Sequence, residues 1–242
     1  MAKPSSVILW EGVSFFDGKT PIVVIATGLR RASKNVKTGA MIQTWILRAD
    51  MHPHAAVVDG QDFATCGTCP HRAGAGCYVD VAKAPAAIWK AYRRGTIPHA
   101  TDADRERIRS MPLRIGSYGD PGAVPLSGWA HVTTTGQRRT GYTHAWRQRE
   151  DLRNFCMASA DSAAESHVAR AKGWRTFRVI NPHDDVDGAA RLGEIECLSE
   201  SRGLSCVDCG LCHGKHENSA KASIFIKAHG AKAGAVGLAI LQ

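Results

Sequence analysis

Six of the eight cysteines fall into two compact triplets: Cys66, Cys69 and Cys77 in CGTCPHRAGAGCY, and Cys206, Cys209 and Cys212 in CVDCGLC. A C-x2-C step puts two sulfurs within reach of one metal centre, and the doubled step C-x2-C-x2-C is the spacing that wraps three corners of an iron–sulfur cube. Zinc sites more usually pair two separate C-x2-C steps, or one step with two histidines. The second triplet therefore leans toward an iron–sulfur cluster of the 4Fe-4S or 3Fe-4S kind, while the first, C-x2-C-x7-C, suits either metal. Eight cysteines also admit disulfides. The opening residues MAKPSSVILWEGVSF, however, hold no apolar run of signal-peptide length, which points to a reducing cytoplasm.

Each triplet lacks a fourth ligand. Cys197, separated from Cys206 by eight residues, and Cys156 are the remaining thiols, and both fall within or at the end of expected strands. A small buried hydrophobe is the competing fate for Cys156. His71, His213 and His216 flank the triplets, so a Cys3His set is open at either one.

The elements that must carry these residues alternate. Pro21–Thr27 and Met41–Leu47 read as an N-terminal β-hairpin over about 22–47, with a basic loop between its strands. A helix opened by Pro85 stops at Gly95. Strands are expected at 113–117, 140–144, 154–159, 175–180, 194–198 and 223–228, with helices from Pro125 to about Thr135 and from Ser162 to Lys172. Ser162-Ala-Ala-Glu165 has capping-box form. Residues 181–192 read as a polar loop.

From Met41 onward this makes about seven strands joined by connections of the length that parallel crossovers require. A single α/β domain over 1–242 is expected, a TIM-type (β/α) barrel, complete or slightly incomplete, with the cysteine loops 66–77 and 206–212 on its C-terminal face. No GxGxxG or Walker-type turn supports a doubly wound nucleotide-binding sheet.

Residues at the ends of barrel strands converge on one mouth. Asp120 and His144 are the expected proton-transfer groups there, being hard to explain as helix caps. Ser117, Tyr118, Ser159, Asp161 and Glu200 are expected cofactor- or substrate-binding side chains, and Tyr142 shares their setting; Asp161 could equally cap a helix.

The chain has 242 residues, 44% hydrophobic and 22% charged, enough for a core that needs no metal staple. No apolar run reaches the length of a membrane span, so no membrane partner is expected. The net charge of +9, from 31 Lys and Arg against 22 Asp and Glu, favours an anionic partner such as nucleic acid or a phosphorylated ligand. Arg30, Arg31, Lys34 and Lys37, then Arg105, Arg107 and Arg109, then Arg138 and Arg139 are its nearest approach to patches, without interleaved stacking aromatics.

The order NVKTGAMIQTWILR, CGTCPHRAGAGCYV, PAAIWKAYRRG, LRIGSYGDP, YTHAW and a late C-x2-C-x2-C resembles a cysteine-rich family encoded by bacteriophages, related to the mycobacteriophage gene-product-eighty-eight type, over about residues 34–230. That resemblance implies a phage origin and expression in host cytoplasm, and carries no reaction. A cysteine loop after an early barrel strand, ending in Cys-Tyr, is more distantly similar to radical S-adenosylmethionine enzymes. Their C-x3-C-x2-C differs from the spacing of Cys66, Cys69 and Cys77. The expected function is an iron–sulfur enzyme of redox or radical type. The alternatives are a nucleic-acid or host-protein binding module whose metal, zinc included, only fixes loops.

Overall fold

The computed structural model describes residues 4–31, 35–72, 75–181, 183–184, 186–191, 193–215 and 222–228. Its strands are β1 (Ser6–Val13), β2 (Pro21–Thr27), β3 (Ile42–Arg48), β4 (Leu113–Tyr118), β5 (Arg139–Thr143), β6 (Met157–Ala160), β7 (Thr176–Ile180), β8 (Glu194–Glu196) and β9 (Ser223–Lys227). They form one sheet in the order β1-β2-β3-β4-β5-β6-β7-β9-β8. The hairpin expected over 22–47 is present as β2 and β3, in register from Ile22 opposite Arg48 to Thr27 opposite Gln43. β1, which was not anticipated, adds to its outer edge antiparallel.

From β3 to β8 every neighbouring pair is parallel. Parallel neighbours need crossovers, and the helices supply them: α3 (Ala84–Arg93) and α4 (Asp102–Arg109) between β3 and β4, α5 (Leu126–Ala130) before β5, α6 (Ala163–Ala171) before β7. Ahead of these come α1 (Pro53–Val58) and α2 (Phe63–Cys66), and after them α7 (Val186–Arg191), α8 (Leu198–Arg202) and α9 (Cys206–Cys209). The fold is thus mixed α/β with a mostly parallel sheet. Its edges, β1 and β8, do not pair with one another among the described residues, and β9 lies inside β8 rather than beyond it.

One face of the sheet carries the helix layer. Ile108 of α4, Trp129 of α5 and Ala169 of α6 pack with Ile42, Ile46, Leu113, Ile115 and Ala158, all fully or almost fully buried. Removing each such aliphatic side chain from water contributes about 1.5–3 kcal/mol. The opposite face is covered in two parts: α3 lies over β1–β3 through Ile88, Trp89 and Tyr92, and the segment from Cys197 to Cys212 lies over Tyr142, Met157, Phe177, Ile224 and Ile226. Strand alternation therefore decides which residues can reach the cysteines.

Three expectations need correction. The helix at Pro125 ends at Ala130, well before Thr135. The 181–192 stretch contains α7, whose Ala189 packs on Ile180 and Phe225. Arg105, Arg107 and Arg109 belong to α4, opened by a capping box between Thr101 and Asp104, rather than to a bare basic patch.

Candidate functional site

Two groups of chemistry-bearing side chains lie on the face away from the helix layer. The first is built by the loop after β3. Ser14 Oγ donates to Ala64 O and Asp120 N donates to Thr65 O, each at 2.7 Å, which seats α2 against the end of β4. Beyond Cys66 the chain closes two turns, with Cys69 N on Cys66 O and Cys77 N on His71 O. Arg72 anchors the loop through a 2.7 Å bond to the buried Asp62 carboxylate.

This loop carries His71 to the ends of β5 and β6. His71 Nε2 lies 3.2 Å, and His144 Nε2 3.4 Å, from the same oxygen, Asp161 Oδ1. The imidazole centroids are 6.0 Å apart and inclined at 66°. The three ligand atoms all fall within 4.8 Å of one another, and among the described residues no other trio of His, Cys, Asp or Glu does so. Burial opposes the charged form of His144, yet the Cys69 sulfur and the Asp161 carboxylate outweigh it and hold the imidazole well above its ordinary range. Burial likewise works against ionised Asp161, but hydrogen bonds from His144 and His71 hold it below the usual carboxylate range.

The local supports explain why these rings converge. Asp120, expected as a proton-transfer group, instead caps the 3-10 turn Pro121–Ala123. Its Oδ1 accepts from Gly122 N and Thr143 Oγ1 and its Oδ2 from His144 N, at 2.6–2.7 Å. It positions the His144 backbone while burial raises its own carboxyl. Asp161 is not the helix cap. Ser162 takes that role by accepting from Glu165 N, and the Glu165 carboxylate accepts from Asp161 N, leaving the Asp161 side chain for the histidines.

The second group is Cys197, Cys206, Cys209 and Cys212. Cys197 ends β8, with its N–H on Phe225 O, and α8 follows. A left-handed Gly203 (φ 67°) ends α8. α9 is then capped by Ser205 and closed by left-handed Gly210 (φ 61°), which returns the chain toward Cys212. Cys206 N bonds Lys37 O, Val207 N bonds Thr38 O, and Gly141 N bonds Cys212 O. The second triplet thus lies along the starts of β3 and β5, not at the strand ends where the first triplet sits. Both loops were expected on one C-terminal mouth; the turn at Gly203 carries this one elsewhere.

Cys197 and Cys212 are buried with Met157, Ile224 and Ile226. The Cys212 thiol is pushed up to about 12, first by burial and further by Cys197, Cys206 and Cys209, against a hydrogen bond from Tyr142. Burial also raises Cys206, against the positive charge of Arg114. No disulfide joins any of the eight cysteines.

Cys156, expected as a metal ligand, is corrected by strand parity. It sits on the helix face with Leu152, Ile115 and Ala158, its Sγ directed at Leu152 O, and serves as a buried hydrophobe. Ser117 donates to Gln43 Oε1 at 2.6 Å, placed by a bulge at Gly116. Gly116 has φ 71°, and a Cβ there would lie 2.7 Å from Gly119 O, so only glycine fits this turn. Tyr118 packs near Cys66 and Cys77; burial and those sulfurs raise its phenol. Ser159 lies on β6 beside Phe177 of β7, and Glu200 pairs with Lys37. His213 Nδ1 faces Gly214 O at 2.7 Å, and His216 lies outside the described residues.

Arg114 and Tyr78 are functional candidates that spacing did not mark. Arg114 Nη2 bonds Tyr78 Oη in the first loop, and its guanidinium also faces Tyr142 and Cys206. Its position on an exposed-looking first turn of β4 gave no sign of this. Only the parity it shares with Tyr118 could have placed it on the cysteine face.

Among the described residues no helix is long and apolar enough to cross a membrane. Comparison of the chain with protein-family models, curated proteins and solved structures finds no match.

Proposed function

We propose that this chain is an iron–sulfur enzyme of redox or radical type, in which Cys197, Cys206, Cys209 and Cys212 hold a cluster and the loop of Cys66, Cys69 and Cys77 forms the reactive end. The observation that carries this reading is that Cys197 and Cys212, from two separated segments, share one buried apolar patch, with Cys206 and Cys209 near enough to raise the Cys212 thiol further. Buried thiols are inert while protonated, and a bound metal displaces the protons and makes their burial favourable. The doubled C-x2-C-x2-C spacing of Cys206, Cys209 and Cys212 favours a cluster over a single tetrahedral zinc.

When bound, a cluster would supply one-electron transfer at this face. Arg114 holds positive charge between the two cysteine groups, and Tyr142 donates to Cys212; both stabilise thiolate charge. The scaffold for this reading is an incompletely closed (β/α) barrel. Its strands run in chain order from β3 to β7, and the Cys197–Cys212 segment bonds β9 at one end and residues 37–38 before β3 at the other. That segment would fill the seam. A reducing host cytoplasm and a phage source accord with eight cysteines that form no disulfide and with the family resemblance. The +9 charge favours an anionic substrate. Arg107, Arg109, Arg138 and Arg139, however, donate to backbone carbonyls, so part of the surplus is spent inside the fold.

The test is anaerobic purification followed by visible absorption and electron paramagnetic resonance spectra of the dithionite-reduced protein, then binding assays with S-adenosylmethionine, nucleotides and RNA. A brown protein whose reduced form gives a cluster signal supports the reading. A colourless zinc protein overturns it and leaves a binding module with structural metal.

A further inference from the structure

Outside the thiolate quartet, three side chains with no sequence relation to one another share a point in space. His71 comes from the loop after α2, His144 from the residue after β5, and Asp161 from the residue after β6. We propose that His71, His144 and Asp161 form a separate site for one divalent first-row transition-metal ion.

Two imidazoles and one carboxylate are the ligand set that binds such ions facially while leaving coordination positions open for water or substrate. The geometry needs little adjustment: both Nε2 atoms already face one carboxylate oxygen at 3.2 and 3.4 Å. The side chains of His71, His144 and Asp161 are 13%, 16% and 17% exposed, an arrangement shielded on most sides and still open to an entering ion.

Hydrogen bonding alone does not account for this trio. Asp161 Oδ1 is asked to serve two imidazoles, and His71 Nδ1 is buried with no partner among the described residues. If His71 donates through Nε2, a buried acceptor is left over; if its proton sits on Nδ1, a buried donor is left over and a lone pair faces the carboxylate. An ion between the three groups would remove the repulsion in the second case, taking the Nε2 lone pair and the carboxylate charge together, while the buried Nδ1–H stays as it is. Supports of the kind that orient metal ligands are also in place: Asp120 fixes the His144 backbone, Glu165 holds Asp161 N, and Arg72 with Asp62 anchors the His71 loop. The Cys69 sulfur beside His144 is a neighbour that the ligand set does not require.

The test titrates Co(II) into the metal-free full-length chain in competition with a chromophoric chelator. It compares wild type with Asp161→Asn, His144→Gln and the double variant C206S/C209S. The expected result is one Co(II) equivalent without thiolate charge-transfer absorption, separate from any that the four thiols take up with such absorption. That equivalent is retained in C206S/C209S and weakened by more than about 100-fold in Asp161→Asn and His144→Gln, beyond what loss of a supporting partner costs. On the unaltered chain, Co(II) should slow diethyl pyrocarbonate modification of His71 and His144, which covers the case of a variant that fails to fold. Equal Co(II) binding in Asp161→Asn and His144→Gln, or no protection of the two histidines, overturns the proposal. A colourless, sulfide-free protein would defeat the cluster reading and leave this result untouched.

Discussion

Replacing Asp120 by asparagine should cost both stability and metal binding, because one carboxylate supports the end of β4 and the start of the His144 turn. Its Oδ1 holds Thr143 Oγ1 at 2.6 Å and Gly122 N at 2.7 Å, and its Oδ2 holds His144 N at 2.7 Å. In the variant the amide oxygen can keep the first two as neutral bonds, and the amide nitrogen then faces the His144 N–H. The lost charge-assisted bond is worth about 1.5–3 kcal/mol, and the other two weaken by roughly half. Relief of a buried charge offsets part of this, since burial already raises the Asp120 carboxyl. A net loss of about 2–3 kcal/mol remains, which in a chain of this size lowers Tm by about 4–12 °C.

Circular-dichroism melts of metal-free protein read the stability. Co(II) competition reads the site, where a misplaced His144 should weaken affinity about 10–100-fold. A variant that melts within about 1 °C of wild type and binds Co(II) normally would refute the assignment. One that melts lower yet binds normally would reduce Asp120 to a turn former.

Other consequences are sharper than they are large. Cys156→Ala should leave iron, sulfide and Co(II) stoichiometry unchanged while lowering stability by about 1 kcal/mol for the lost core volume, read by urea denaturation with metal analysis. Arg114→Met removes a positive charge beside Cys206, so a bound cluster should titrate at a lower potential with no loss of iron, read by a redox titration. Paired bonds from Arg149 outweigh burial and hold Asp151 below its ordinary 3.8. Because that carboxyl is depressed on folding, its contribution is complete above pH 3.8 and is lost as pH falls through the folded value. Asp151→Asn should therefore lower stability modestly above pH 3.8, leave it little changed at the acid end, and so flatten the acid limb of the profile, in urea titrations across pH.

Much of the frame was legible in the residues. β2 and β3 announce themselves through β-branched runs on either side of a polar loop, and the parallel run from β3 to β9 follows from strand-length apolar segments at crossover spacing. Parity also shows why Cys197 faces Cys212, since Ile224 and Ile226 of the neighbouring strand line the same patch. What stayed hidden depends on turns. The left-handed Gly203 sends the second triplet to the starts of β3 and β5, and no local pattern gives the direction in which a loop returns. Cys156 shares the parity of Ala158 and so faces the helix layer, and its apolar run alone does not say which face is which. Asp120 looked catalytic because a buried carboxylate after a strand has the same signature whether it serves a substrate or three backbone and hydroxyl donors. His144 and Asp161 follow β5 and β6 as the strand-end reading expects, but their meeting with His71 depends on the fold of the cysteine loop.

The central claim is that the four thiols of Cys197, Cys206, Cys209 and Cys212 hold an iron–sulfur cluster. Its most direct test is iron and acid-labile sulfide per chain after anaerobic purification, in wild type and in Cys209→Ser. The account predicts matched, stoichiometric iron and sulfide in wild type, with most of both lost in Cys209→Ser while Cys156→Ala retains them. Iron and sulfide that survive Cys209→Ser undiminished, or a wild-type chain carrying zinc and no sulfide, would contradict it.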